Sequence, residues 1–244
     1  MTSRSFLMTF FALLGLAVPA AQAAVTMPKV FADHMVLQRD MPVAVWGWAD
    51  ASEKVTVRFG HQSKTSIPDA TGRWQVALDA MPANATSQNL TIAGTNTVDI
   101  RDVLVGEVWF CSGQSNMTTR TNENPKEILD REIPLADLPN LRLFESPTTL
   151  GQTVLKDLPG GRWNLCTPKL ALNYSGTAFF FGREIHNTLK IPVGLVLVSC
   201  GGSKSECWTS LEGLQDDPAY QKTVKPRWEK YLAEYPAALP LRHI

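Results

Sequence analysis

Two nearly continuous apolar runs, Val103-Leu104-Val105-Gly106-Glu107-Val108-Trp109-Phe110 and Val193-Gly194-Leu195-Val196-Leu197-Val198, limit the fold more than any other feature of the chain. A strand wetted on one face alternates apolar and polar residues, whereas a strand covered on both faces reads as an unbroken apolar run. Between the two runs, Ala178, Phe181, Ile185 and Leu189 recur at helical spacing. Strand, helix and strand in that order predict a parallel βαβ arrangement, with functional groups gathered beyond the carboxyl ends of the strands. Each run leads directly into a short polar segment containing glycine, Cys111-Ser112-Gly113-Gln114-Ser115-Asn116 after the first and Ser199-Cys200-Gly201-Gly202-Ser203 after the second. The two loops are therefore expected to face one crevice.

Upstream of Val103 the pattern is different. Val43 and Val45, then Val55, Val57 and Phe59, then Trp74, Val76 and Leu78, then Leu90 and Ile92, repeat at period two, the mark of half-buried strands. Asp50-Ala51-Ser52 and Asp69-Ala70-Thr71-Gly72 supply turns between them. Short strands with regular turns and no helical pattern predict a small antiparallel β-sandwich over residues 24–105, with a boundary near Gly106.

The N-terminus has the layout of a secretory signal peptide over residues 1–23: Arg4 supplies the positive region, Phe6 to Val18 the apolar stretch, and Ala21-Gln22-Ala23 the cleavage site. Cleavage after Ala23 and a secreted or periplasmic location are expected. The apolar run is short for a bilayer span, so no stable membrane insertion is expected after cleavage; an N-terminal anchor is the alternative. Export permits disulfides among Cys111, Cys166, Cys200 and Cys207, and their pairing is open, buried thiols or one structural bridge being the plainer reading. Sequons at Asn84, Asn89, Asn116 and Asn173 matter only in a glycosylating host.

Charge excludes one class of partner. The chain has 23 basic and 23 acidic residues and no basic run, so it lacks the field that attracts nucleic acid. Cys200 and Cys207 are not spaced as a CxxC pair, no histidine cluster accompanies them, and no phosphate-binding glycine loop occurs, so neither a metal nor another cofactor is expected.

The segment Gly106-Glu107-Val108-Trp109-Phe110-Cys111-Ser112-Gly113-Gln114-Ser115-Asn116-Met117 closely resembles the nucleophile block of the sialate O-acetylesterase family, within the SGNH hydrolase superfamily. Other segments agree. His34-Met35-Val36-Leu37-Gln38-Arg39, Val45-Trp46-Gly47-Trp48 and Gly72-Arg73-Trp74 resemble that family's N-terminal β-domain, and Phe180 to His186, Ile191 to Leu195, and Gly201 to Trp208 resemble its later blocks. The resemblance runs from about residue 30 to about residue 210. It implies an α/β fold: an SGNH-hydrolase-like three-layer α/β/α domain, incomplete here, over residues 106–244, preceded by the β-sandwich. It also implies an enzyme that removes O-acetyl groups from sialic acid or a related acetylated sugar through a serine acyl-enzyme. Acetylxylan-type esterases share the nucleophile block, so the sugar is left open, as is the oligomeric state.

An ester carbonyl needs a nucleophile, a base for its proton and donors for the oxyanion. By the resemblance Ser115 is the nucleophile. Its own N–H and that of Gly202, where a missing side chain allows close approach, are the oxyanion donors. Gln114 and Asn116 either contact substrate or shape the loop, and Glu107 is read as structural. Thr118, Cys200 and Cys207 depart from the family's usual residues, which bears on specificity. Two expected elements are missing: no Gln-Gly-Glu occurs, and no aspartate is followed three positions later by histidine. His34, His61 and His186 fall in strand or helix contexts, and His243 follows Pro240-Leu241 near the terminus. The chain by itself is therefore expected to be an inactive N-terminal portion; a non-catalytic carbohydrate-binding protein is the alternative.

Overall fold

The computed structural model describes residues 24–149 and 155–234; the expected signal peptide and His243 lie outside them. Strands and helices follow in the order β1 (Val36–Gln38), β2 (Val43–Trp48), β3 (Val55–Phe59), β4 (Gln62–Ser66), β5 (Arg73–Leu78), β6 (Asn84–Ala93), β7 (Thr97–Gly113), α1 (Ser115–Thr118), α2 (Lys126–Glu132), β8 (Leu138–Glu145), β9 (Trp163–Cys166), α3 (Pro168–Leu172), α4 (Gly176–Leu189), β10 (Val193–Ser199), α5 (Leu211–Gln215) and α6 (Lys225–Glu234). The result is a mixed α/β fold with a large central sheet and few helices.

The alternating segments do form strands, and their apolar positions turn inward. Val45, Val55, Val57, Trp74, Leu78, Leu90 and Ile92 are all buried in one core. Burying each such side chain contributes about 1.5–3 kcal/mol relative to leaving it in water. The antiparallel pair β2–β5 and the strands β3 and β6 of the larger sheet share this core.

β7 joins everything else. Its first part pairs antiparallel with β6, Leu104–Gly106 pair in parallel with β1, and Glu107–Gly113 pair in parallel with β10. The backbone continues as strand through Gly106, where the sequence pattern changes. The larger sheet has the order β4-β3-β6-β7-β10-β8-β9, with β10 parallel to both of its neighbours.

The apolar run in β7 is covered on both faces only up to a point. Val103, Leu104 and Val105 are buried, but Trp109 and Phe110 are 41% and 66% exposed. Beyond Gly106, β7 has β10 along one edge and, among the described residues, no strand along the other. α4 also departs from its expected face: Ala178, Phe179 and Gly182 are buried, whereas Phe181 and Leu189 are 40% and 45% exposed. Gly182 explains the offset. A side chain there would meet Leu195 of β10 at 2.5 Å, so the helix lies against the sheet along that line. Phe181 instead meets Trp109 edge-on, with ring centroids 5.0 Å apart. Ser175 caps the helix by accepting from the Ala178 N–H, and Lys190 ends it in a left-handed conformation.

One ion cluster fastens β1 and β8 to β7 at the end of the sheet opposite the loops. The Arg142 side chain is 4% exposed and its Nη1 donates to Asp102 (2.6 Å) and to the His34 carbonyl, while His34 Nδ1 lies 2.7 Å from the same Asp102 oxygen. Burial alone would raise the Asp102 pKa, but hydrogen bonds from Arg142 and His34 prevail and hold it at about 2. An unfolded aspartate titrates near 3.9, so the stabilisation is complete above about pH 4 and lost as pH falls through about 2. Its size is about 2 kcal/mol. Asp102→Asn is expected to lower stability to urea by about that much near pH 7 and by little near pH 2; equal losses at both would refute the account.

Candidate active site

The two polar loops leave the sheet side by side. Gly113, the last residue of β7, pairs with Ser199, the last residue of β10, and the Cys200 N–H donates to the Gly113 carbonyl (3.0 Å). Gly113 has φ 141°, a conformation that favours glycine and turns the chain out of the strand. Gln114 then caps α1, and Ser115 is its first residue. The Gln114 side-chain oxygen accepts from both the Ser115 N–H (2.8 Å) and the Ser115 hydroxyl (2.7 Å). The N–H expected to serve an oxyanion is thus occupied by Gln114 here. Gln114 thereby holds the Ser115 hydroxyl and N–H, and both residues are exposed.

α1 is short and is held from below. The Thr177 hydroxyl donates to the Asn116 carbonyl (2.9 Å), Thr119 donates to the Ser115 carbonyl (2.9 Å), and Met117 packs into the core beneath the sheet edge. Asn116 itself is exposed. Beyond α1, Arg120 makes a two-pronged ion pair with Glu145, at 2.9 and 2.7 Å, and donates to the Asn173 carbonyl (3.0 Å). Glu145 is the last residue of β8, so the pair ties the segment after α1 to the carboxyl end of that strand. The hydrogen bond to Glu145 raises the Arg120 pKa, keeping its charge fixed.

The second loop is a tight turn. Ser203 donates through its hydroxyl to the Cys200 carbonyl (2.7 Å), and the Trp208 indole N–H donates to the Ser203 hydroxyl (2.8 Å). Gly202 is exposed, has φ 75°, and has nothing within 4 Å of where a side chain would stand. Gly201 approaches α1: a side chain there would lie 3.9 Å from Thr118. Ser115 and Gly202 therefore belong to adjoining loops at one sheet edge.

The histidines are engaged elsewhere or stand apart. His34 pairs with Asp102, His186 Nδ1 contacts the Ile191 carbonyl (2.7 Å), and His61 lies in the β3–β4 turn. Glu107 accepts from Arg39 (2.7 Å), a structural role. All four cysteines are unbridged. Burial pushes the Cys111 thiol to about 11 and the Cys166 thiol to about 12, so neither supplies a thiolate at neutral pH. Among the described residues there is no cluster fit to hold a metal, and no helix is long and apolar enough to cross a membrane.

Arg120, Glu145, Ser203 and Trp208 are the loop-shaping residues that spacing did not single out. Arg120 and Glu145 are separated by 25 positions and Arg120 and Asn173 by 53, distances at which no local pattern signals a contact.

Comparison with known proteins bears directly on this arrangement. No family model matches the chain. The sialate O-acetylesterase of Rattus norvegicus is 32% identical over 80% of this chain and 40% of its own length, and that of Homo sapiens is 31% identical over 75% and 38%. A carbohydrate acetylesterase from Xanthomonas citri superposes with a TM-score of 0.73 at 33% identity, over 80% of this chain and 44% of that one. The chain is a relative of the sialate O-acetylesterases. It spans about two-fifths of the length of the curated sialate O-acetylesterases it matches. The match to a solved carbohydrate acetylesterase covers most of the chain, so the resemblance includes the fold.

Proposed function

We propose that this chain is the N-terminal portion of a secreted or periplasmic carbohydrate O-acetylesterase, with residues 24–105 forming a β-sandwich domain and residues 106–244 the start of an SGNH hydrolase domain. The observation that carries this reading is the position of Ser115, exposed at the first turn after the carboxyl end of β7, with the glycine turn of β10 in the adjoining loop. The esterase names of relatives at about one-third identity support it.

The chemistry follows from these groups. The Ser115 oxygen attacks the acetyl carbonyl carbon while its proton passes to a base, and negative charge develops on the carbonyl oxygen. The Gly202 N–H, and the Ser115 N–H once the Gln114 side chain turns away, are suited to receive that charge. Collapse releases the sugar hydroxyl and leaves acetyl-Ser115, which water hydrolyses to acetate. Gln114 governs access to the nucleophile, and Asn116, exposed beside it, is suited to contact the substrate. No metal or organic cofactor enters these steps.

A base is the missing part. Ser115 donates to Gln114, and the described histidines are engaged elsewhere or stand apart, which favours binding without turnover for this chain by itself. Acetate release from 9-O-acetylated N-acetylneuraminic acid and from acetylated xylan tests the reading. A form extended through an Asp-x-x-His segment is expected to release acetate from at least one, and its Ser115→Ala variant from neither. Failure of the extended form on both sugars would overturn the proposal.

A further inference from the structure

Beside the glycine turn lies a cleft of about 530 Å³ between the N-terminal β region and the loops of the sheet edge. Trp46 of β2 lines it from one side, and Cys200, Ser203 and Trp208 line it from the other. It is mainly apolar, with a few polar groups, the composition of a small-molecule site. The same turn that carries Gly202 thus forms a wall of this cleft.

Its aromatic groups are held in place. Phe31 and Trp48 meet the Trp46 ring nearly perpendicularly, with centroids 6.3 and 5.5 Å away, and the Arg73 guanidinium lies 4.9 Å from its centroid. Trp208 is fixed by its hydrogen bond to Ser203. A large apolar ring surface held rigidly loses little entropy on binding, and the apolar face of a sugar ring is its natural complement.

Polar groups line the cleft beside the aromatic ones. Asp157, also on the cleft wall, accepts from the Lys29 and Leu158 N–H groups and offers carboxylate oxygens to further donors.

We propose that this cleft holds the pyranose ring of the acetylated substrate, with Trp46 and Trp208 as its apolar walls and Asp157 as a partner for ring hydroxyls. The inference rests on the reading of Ser115 as the nucleophile of a carbohydrate esterase, and it makes the N-terminal β region a determinant of sugar specificity. The ring would sit against the Cys200–Ser203 turn, directing an acetylated hydroxyl toward the loops that carry Gly202 and Ser115.

Binding to this chain tests the inference without requiring turnover. Two probes, 9-acetamido-9-deoxy-N-acetylneuraminic acid, whose amide replaces the labile ester, and a methyl xyloside, are titrated by calorimetry and ligand-observed NMR. At least one is expected to bind. Trp46→Ala and Trp208→Ala should each raise its Kd about tenfold or more, and Trp46→Phe, which keeps a ring, by about threefold at most. Trp208 is 40% exposed, so its variant keeps the test standing should Trp46→Ala fail to fold. Binding by neither probe, or wild-type binding by a folded Trp208→Ala, would overturn the inference. Hydrolysis of p-nitrophenyl acetate, which has no sugar ring, by the form extended through an Asp-x-x-His segment reads the nucleophile alone. Failure of either reading is therefore distinguishable from failure of the other.

Discussion

The 244-residue chain is expected to hydrolyse p-nitrophenyl acetate at the rate of its Ser115→Ala variant, although the segment around Ser115 is intact. A serine hydroxyl is a poor nucleophile until a positioned base takes its proton, and here the hydroxyl donates to an amide oxygen, which cannot act as that base. A general base typically contributes about 10²- to 10⁴-fold. A form carrying an Asp-x-x-His segment should therefore exceed the short chain by about that factor, and Ser115→Ala in that form should remove the gain. Initial rates of these four proteins and of the short chain's His243→Ala variant decide it. Robust turnover by the short chain, lost on both Ser115→Ala and His243→Ala, would make His243 the base instead.

The largest effect on stability is expected at Gly106, where β7 passes from its pairing with β6 and β1 to its pairing with β10. A side chain there would stand 1.9 Å from the Pro192 carbonyl oxygen and 2.6 Å from the carbonyl carbon, both backbone atoms. The same carbonyl accepts from the Glu107 N–H (3.0 Å), so it cannot withdraw without breaking the start of the β7–β10 ladder. Overpacking against movable side chains costs about 1–3 kcal/mol; against backbone, Gly106→Ala should cost about 3 kcal/mol or more. Gly202→Ala is the contrast. Space is open there, and the penalty is the left-handed backbone alone, about 1–2 kcal/mol. Urea unfolding of both variants tests the ranking, and a Gly106→Ala protein as stable as Gly202→Ala would contradict the packing described here.

The strands of the N-terminal half were legible because one wetted face leaves a period of two, and Val55, Val57 and Phe59 are buried where that period puts them. The parallel pairing of β7 with β10 was legible from their apolar runs, although β8 and β9 come between β7 and α4 in the chain and α4 leaves Phe181 and Leu189 exposed. β8 was not. It interrupts Leu141, Leu143 and Phe144 with Arg142, a charge that reads as exposed until Asp102 and two carbonyls are seen to satisfy it. Nor does spacing reveal that β10 lies between β7 and β8, because strand order is set by pairing between distant segments.

At the site, the sequence pointed to Ser115, Gln114 and the Gly201–Gly202 turn through one long block and two loops. It could not indicate that Gln114 holds both the hydroxyl and the N–H of Ser115, since side-chain rotamers leave no periodic trace. The Arg120–Glu145 pair was hidden for the same reason.

The assignment of Ser115 as nucleophile is tested most directly by covalent trapping. The form extended through an Asp-x-x-His segment is incubated with a fluorophosphonate, which phosphonylates an activated serine with loss of fluoride, and the adduct is located by peptide mass spectrometry. One adduct on Ser115, absent from the Ser115→Ala variant and formed in step with loss of esterase activity, is the expected result. Full inactivation with the adduct on another residue would contradict it.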